Sequence, residues 1–236
     1  MSASPLFASV PSGWHLFTRL GEAQILLPAM LAALLWLALS ARDRRSAWRW
    51  AAATFVVALV TTITKVAFFG FEVGYAPLDY TGISGHAMFA AAVLPVLCAV
   101  AACGTRWRNA AVAFGYALAV LVAYSRLPVR AHSPAEALAG LLLGGLASAL
   151  VLRFTRLPEQ RAPLWLGAAL SVWMLCLPLN APPSFTHGMV VKLSLAVSGR
   201  TVPYSRWRMH RDWRLQQQHQ RDAQQLAGSA APSAAR

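Results

Sequence analysis

The chain has 236 residues, of which 57% are hydrophobic and only 12% are charged. A soluble domain of this length needs more charged side chains to cover its surface, so the composition excludes an ordinary soluble protein. The net charge of +13 comes almost entirely from Arg, which lies in short loops between apolar runs and in the C-terminal segment. Charges placed in this way set membrane topology, so the basic balance does not indicate a nucleic-acid partner.

Apolar runs long enough to cross a bilayer as helices recur along the chain. They predict an all-α, polytopic membrane helix bundle of about six transmembrane helices over residues 22–180, with no inserted soluble domain. Small residues in the fifth run, among them Gly140 and Gly144, favour close helix packing. The predicted spans are 22–41, 50–71, 86–103, 109–124, 133–152 and 163–180.

The segments on either side of the bundle are too short or too broken to span a membrane. Residues 1–21 predict an interfacial N-terminal segment, and 181–236 predict an interfacial segment followed by a basic, partly disordered tail. Within the tail, the basic and aromatic stretch 204–208 is interpreted as an anchor at the level of the lipid headgroups. Disorder is expected from Gly228 to Arg236, where Ala, Ser and Pro dominate.

Charge in the loops orients the bundle. The loops 42–49, 104–108 and 153–161 carry nine Arg, whereas the alternate loops carry only Arg126 and Arg130. The positive-inside rule makes the first set cytoplasmic and the second set external. Because the composition is rich in Arg and Ala and poor in Lys, a bacterial inner membrane is expected, with His86 and His132 on the periplasmic or outer side.

Ionisable residues inside membrane spans are costly, so each one needs a reason. Lys65 stands near the end of the second span, His86 opens the third, and His132 and Glu136 open the fifth. Since successive spans alternate in direction, these ends are expected at one membrane face.

His132 and Glu136 are four residues apart at a predicted helix start, where Ser133 suits the N-cap and Pro134 the first turn. Both side chains then share one helical face, and the carboxylate can hold one ring nitrogen as N–H. The other nitrogen keeps its lone pair and can act as a nucleophile. A helix-start His beside an interfacial Glu, or a pair of metal ligands, are the alternatives; no third residue at metal-ligand spacing supports the second.

Three further features suit the binding of a phosphate. Arg126 offers forked donors, and the Ser84-Gly85-His86 tripeptide opens a helix whose N-terminal amides can bind an anion. His86 can give a proton to a departing oxygen. Taken singly, each feature has another interpretation: an interfacial Arg, a capped helix start, and for Lys65 a side chain that reaches to the membrane surface.

The order of these pieces resembles the type 2 phosphatidic acid phosphatase family, which belongs to the superfamily of the vanadium haloperoxidases. That family's motifs are Lys-x6-Arg-Pro, Pro-Ser-Gly-His and Ser-Arg-x5-His-x3-Asp. The third motif matches here at Ser125, Arg126 and His132, with Glu136 in place of Asp, and the second matches from Ser84 to His86, after Ile83. The first matches only at Lys65, because Glu72 stands at the position of its Arg.

The resemblance implies a metal-independent membrane phosphatase without a cofactor. By that resemblance His132 is the nucleophile, Glu136 orients it and His86 protonates the leaving group. Lys65, Ser84, Gly85 and Arg126 bind the phosphate, which belongs to a lipid phosphate or diphosphate such as undecaprenyl diphosphate, phosphatidic acid or phosphatidylglycerol phosphate. Glu72 is expected to repel a phosphate unless it points away or serves another polar group, and Arg130 is a candidate to replace the missing Arg.

Two other hypotheses remain open at the level of the sequence. The missing Arg favours a family member without hydrolytic activity that acts as a lipid-binding or structural membrane protein. A transporter is the third hypothesis, although paired broken spans in two halves, the usual signature of transporters, are not evident.

Overall fold

The computed structural model describes residues 12–40, 44–155 and 186–230, together with 163, 168, 172 and 173. These residues form eight α-helices and no β-strand, apart from one isolated bridge between Tyr75 and Tyr80. The predicted all-α class is therefore confirmed. The helices are α1 (Ser12–Leu20), α2 (Ala23–Ser40), α3 (Arg44–Phe71), α4 (Gly85–Ala101), α5 (Arg108–Ser125), α6 (Pro134–Phe154), α7 (Thr186–Ser198) and α8 (Arg206–Ala230), with a 3₁₀ turn at Ala76–Leu78.

The first five predicted spans correspond to α2 through α6. By length and composition α3, α5 and α6 can each cross a membrane. Helix α4 and the stretch Ala23–Leu39 of α2 are apolar but shorter. The largest difference is at α3, which begins at Arg44, six residues before the predicted start of the span. The sixth predicted span, 163–180, lies outside the described residues except at isolated positions.

Helix α4 is the centre of the bundle. It packs against α2, α3, α5 and α6, and every residue from Ala87 to Val100 except Cys98 is buried. A helix that is apolar on all sides is stable only when other helices surround it, which explains its place in the middle. Residues at the start of α4 are consequently held from several directions at once.

Two glycines set the distance between α4 and α6. A Cβ on Gly140 would lie 2.5 Å from the carbonyl oxygen of Ser84, and one on Gly144 would lie 2.0 Å from that of Met88. These contacts confirm the predicted close packing of the fifth span. Gly145 is different, since a Cβ there would meet nothing within 4 Å.

The outer surface of the bundle carries apolar stripes. On α2 and α6 the exposed leucines recur every four residues, so each set lies along one outward face. Exposure of such stripes to water would be unfavourable, whereas contact with lipid tails, which are as apolar as leucine, is not. The stripes therefore fit a helix bundle embedded in a bilayer: Leu27, Leu31, Leu35 and Leu39 on α2, and Leu138, Leu142, Leu146 and Leu150 on α6.

The flanking segments contact the bundle. Helix α1 packs against α5, and α7 packs against α3, where Gly70 allows the approach of Ser194. Helix α8 begins beside the 3₁₀ turn and continues to Ala230, so the disorder expected from Gly228 does not begin there. Residues 1–11 and 231–236 lie outside the described residues.

Candidate active site

The start of α6 places His132 and Glu136 in direct contact. Nδ1 of His132 lies 2.7 Å from Oε2 of Glu136, with the two side chains 12% and 0% exposed. Ser133 is the N-cap: its hydroxyl accepts from the amide of Glu136, and Glu136 accepts from the amide of Ser133, which makes a capping box. The local sequence thus fixes both the start of the helix and the direction of the carboxylate.

Glu136 also joins α6 to the segment that precedes α4. Oε1 accepts from the backbone amide of Thr81 at 2.6 Å and from its hydroxyl at 2.5 Å. The backbone carbonyl of Glu136 accepts from the amide of Ser84 at 3.1 Å. The third and fifth predicted spans therefore start at the same end of the bundle, as the alternation of spans predicts.

Arg206, at the start of α8, completes the surroundings of Glu136. Its Nη2 donates to both carboxylate oxygens at 2.9 Å each, and its Nη1 donates to the carboxylate and the backbone carbonyl of Asp79. The interpretation of 204–208 as a headgroup-level anchor did not include this contact between Arg206 and a buried carboxylate seventy positions away. Trp207, by contrast, is exposed.

The start of α4 presents unused polar groups. Ser84 is its N-cap but makes no side-chain capping bond. The hydroxyl of Ser84 is fully buried and has no hydrogen-bond partner among the described residues. A Cβ on Gly85 would meet nothing within 4 Å, so space is open beside the first turn. Free first-turn amides, a free hydroxyl and open space together suit an anion.

Arg126 lies at the C-terminal end of α5 and is 9% exposed. Its Nη1 donates to the hydroxyl of Thr18 at 2.8 Å, and Thr18 also bonds Ser125, so α1 holds the start of the loop. The Nε of Arg126 has no partner among the described residues. A buried guanidinium with an unused donor is well suited to a phosphate oxygen.

Lys65 lies near the end of α3, against the segment that leads to α4. Gly82 packs on it, since a Cβ at Gly82 would lie 3.3 Å from Cγ of Lys65, and Gly82 also has φ +128°, which favours glycine. Next to Lys65, the hydroxyl of Thr64 accepts from the amide of Ile83 at 3.1 Å. Lys65 is thereby held beside the Ser84-Gly85-His86 tripeptide.

The cations and imidazoles interact electrostatically. The charges of Arg126, His132 and Lys65 act on the His86 imidazole. The charges of Glu136, Arg126 and Arg206 act on the Lys65 ammonium group. In the loop before α6, burial holds the pKa of His132 below the usual imidazole range, although the hydrogen bond that His132 donates to Glu136 opposes this. The neutral imidazole, which is the nucleophilic form, is therefore favoured near neutral pH.

The two charged residues that the sequence left undecided are now located. Glu72 forms an ion pair with Arg200, so it serves another polar group, as the sequence allowed. Arg130 is exposed in the turn between α5 and α6. Arg206 is the cation that meets Glu136, and the structure gives Arg130 no corresponding contact there.

All seven residues proposed from the sequence lie at one end of the bundle, within the elements described above. Three residues that contact them were not predicted from the sequence: Thr18, Thr81 and Arg206. Asp79, which contacts Arg206, was not predicted either. Thr81 lies three residues before Ser84, but a threonine is not by itself typical of any one chemistry. One indication of Arg206 was present in the sequence: a carboxylate at a helix start inside an apolar bundle, here Glu136, is usually paired with a cation.

No group of three or more His, Cys, Asp or Glu side chains that can hold a metal ion occurs among the described residues. The polar groups of the site instead offer mostly donors and cations. This chemistry suits an oxyanion more than it suits a metal.

Comparison with known proteins identifies the family of the chain. The model of the PAP2 superfamily matches residues 70–159. A protein of Klebsiella pneumoniae, described as an "Uncharacterized 22.5 kDa protein in cps region", is 35% identical over 204 residues, which cover 84% of this chain and 98% of that protein. The chain belongs to the PAP2 superfamily. No solved structure matches it significantly.

Membership in the PAP2 superfamily supports a phosphatase in general terms, and the apolar helices support its place in a membrane. The matched region begins after Lys65 and contains both imidazoles and the start of α6. Arg206 lies outside the PAP2 match, as does Thr18. Two contacts of the candidate site thus come from parts of the chain beyond the family region.

Proposed function

We propose that this protein is an integral membrane phosphatase that hydrolyses a lipid phosphate or diphosphate through a phosphohistidine intermediate. The observation that carries the proposal is the His132–Glu136 pair at the start of α6. Because the carboxylate holds Nδ1 as N–H, the lone pair of Nε2 is free for attack on phosphorus. Buried, unused donors on Ser84 and Arg126 belong to the same end of the bundle.

The proposed reaction has two steps. Nε2 of His132 attacks phosphorus, the bond from phosphorus to the lipid oxygen breaks, and that oxygen takes a proton from His86. A water molecule then attacks the phosphohistidine, gives its proton to His86 and releases phosphate from His132. Lys65, Ser84, Gly85 and Arg126 bind the phosphate oxygens in both steps. Fixed positive charge and donors account for most of the acceleration in such transfers.

The position of the site supports the proposed substrate class. The polar cluster is at one end of a bundle with leucine stripes on its outer faces, so a ligand with a long apolar tail keeps the tail in lipid while its phosphate meets the cluster. The excess of Arg in the loops 42–49, 104–108 and 153–161, at the opposite end of the spans, supports a site on the outer face of a bacterial inner membrane. Neither a cofactor nor a metal takes part in the proposed mechanism.

Phosphate release by the purified protein in lipid nanodiscs tests this proposal. Phosphatidic acid, phosphatidylglycerol phosphate and a polyprenyl diphosphate serve as substrates, and His132→Ala is the matched control. We expect release from at least one substrate by the wild type, none by His132→Ala, inhibition by vanadate in buffer without EDTA, and full activity in EDTA without vanadate. Activity that EDTA abolishes and an added divalent metal restores would point to a metal and would contradict the mechanism.

The absent first-motif Arg favours the second candidate function, a member that binds lipid phosphates without hydrolysing them. The same assay separates the two functions. Lipid-phosphate binding without any release that depends on His132 would support the binding protein and refute the enzyme.

A further inference from the structure

Arg206 approaches the candidate site from the C-terminal segment. Its Nη2 meets both oxygens of Glu136 at 2.9 Å and the hydroxyl of Thr81 at 3.3 Å. Its Nη1 bonds Asp79. Every one of these partners either is Glu136 or belongs to the segment 79–81, which itself donates to Glu136 through Thr81. The contacts of Arg206 therefore converge on the carboxylate that touches His132.

Packing fixes this guanidinium in place. Tyr204 is buried two residues earlier, where its amide donates to the carbonyl of Phe69 at 3.0 Å and its ring meets that of Phe68 at 5.4 Å. Met209 is buried three residues later, and His210 bonds the carboxylate of Asp79 at 2.6 Å. Arg206 is thus held between buried anchors on both sides, unlike an ordinary surface arginine, whose ion pairs contribute little.

The C-terminal segment supplies an ion-pair partner at both charged positions where the chain departs from the family's motifs. Glu72 stands where the first motif has Arg, and Arg200 pairs with it. Glu136 stands where the third motif has Asp, and Arg206 pairs with it. The first motif of the family supplies an Arg that this chain lacks. Arg206 brings a guanidinium to the same end of the bundle from the C-terminal segment, where it contacts Glu136.

We propose that Arg206 is a positioning residue of this site, which holds the Glu136 carboxylate and offsets its charge so that His132 keeps its orientation and its free lone pair. The inference rests on the function proposed above. Both terminal nitrogens of Arg206 are already bonded to carboxylates, so Arg206 acts through Glu136 and does not bind phosphate itself. Without it, the full charge of Glu136 faces His132 and favours the imidazolium, which has no lone pair for attack.

Several charged groups act on His132 from the elements around it. They are Lys65 on α3, His86 on α4, Arg126 after α5, and Glu136 on α6. Asp79 and His210 lie beyond Arg206 and complete the chain of charges. Removal of Arg206 alone leaves all of these in place, so a change in the titration of His132 can be assigned to Arg206.

The test uses the full chain with Arg206→Ala and Arg206→Lys, and with Arg214→Ala as a control on an exposed residue of the same helix. Turnover and KM are measured across pH with the lipid phosphate that the wild type hydrolyses. We expect kcat of Arg206→Ala to fall by about 10–100-fold with KM changed by less than about threefold, by analogy with residues that orient metal ligands. Arg206→Lys should recover part of this loss, and Arg214→Ala should match the wild type.

A second readout does not depend on activity. In ¹⁵N-histidine-labelled protein, the NMR titration of His132, assigned with His132→Ala, should have its midpoint raised by about 0.5–1 pH unit in Arg206→Ala. The acidic limb of the kcat/KM profile should move in the same direction. In Arg206→Lys, where a positive charge remains, both should stay near the wild type.

The outcomes separate this inference from the proposed function. A wild type without release that depends on His132 refutes the enzyme, whereas the titration of His132 still decides the role of Arg206. A midpoint in Arg206→Ala equal to that of the wild type overturns the positioning role. So does a rise in KM at constant kcat, which would mean that Arg206 binds substrate directly.

Discussion

Replacement of Glu136 by Gln is the most informative single change, because it keeps the shape of the side chain and removes its charge. In the structure, Oε1 accepts from the amide of Thr81 and Oε2 accepts from the amide of Ser133. Whichever way the Gln amide turns, its NH₂ therefore faces one backbone N–H. A buried donor left without an acceptor costs about 1–3 kcal/mol, so a moderate loss of stability is expected.

The loss of activity should be larger than the loss of stability. If the NH₂ takes the place of Oε2, it donates to Nδ1 of His132, the ring proton moves to Nε2 and the nucleophilic lone pair is lost. If it takes the place of Oε1, the tautomer survives, but the charge that stabilises His132 during the transfer is gone. We expect kcat to fall by about 10²–10⁴-fold, as when the orienting carboxylate of a catalytic His is neutralised in other enzymes.

Glu136→Asp is the matched variant, since it keeps the charge and shortens the side chain by one methylene. Its kcat should lie between those of the wild type and Glu136→Gln. Initial rates of phosphate release at saturating lipid give kcat, and gel filtration with circular dichroism confirms that each variant is folded. A folded Glu136→Gln protein with kcat within threefold of the wild type would refute the role assigned to the carboxylate.

Three other changes test neighbouring parts of the account. Gly144→Ala would place a Cβ 2.0 Å from the carbonyl oxygen of Met88, so thermal denaturation should show a destabilisation of about 1–3 kcal/mol. Gly145→Ala should be neutral, because a Cβ there would meet nothing within 4 Å. Equal stability of the two variants would contradict the close packing of α6 on α4. Ser84→Ala removes a hydroxyl that has no partner among the described residues, so folding should be unchanged. Its kcat/KM should fall by about 10²-fold, because a donor to the phosphate is lost. An unchanged kcat/KM would show that Ser84 does not bind the phosphate. Because burial lowers the pKa of His132, its neutral form persists as pH falls and is lost only below the usual imidazole range. The acidic limb of kcat/KM should therefore have its midpoint below about pH 6.5. A midpoint at or above that value would contradict the assignment of His132 as the nucleophile.

Much of the fold was predictable because apolar runs of membrane length leave little choice of structure. The alternation of spans also brought Lys65, His86 and His132 to one end, and the four-residue spacing from His132 to Glu136 predicted their contact. Both inferences use regular geometry: one residue pair on a helical turn, and one change of direction for each span.

The contacts of the C-terminal segment were not predictable in the same way. Arg206 meets Glu136 across seventy positions, and no local pattern relates the two. The surroundings of Arg206 resemble a basic, aromatic segment of the kind that lies at lipid headgroups, and only tertiary packing of Tyr204 and Met209 turns it inward. Arg200 beside Glu72 is a similar case, since its charge pattern alone fits an exposed tail.

Transfer of phosphate to His132 is the central claim, and direct labelling tests it. The wild type is mixed with a ³²P-labelled lipid phosphate that it hydrolyses, quenched in alkali within milliseconds and digested, and the labelled peptide is identified by mass spectrometry. The account predicts label that is stable in alkali and lost in acid, on the peptide that contains His132, with none in His132→Ala. Label on another residue, or full activity without any labelled His132 during turnover, would contradict it.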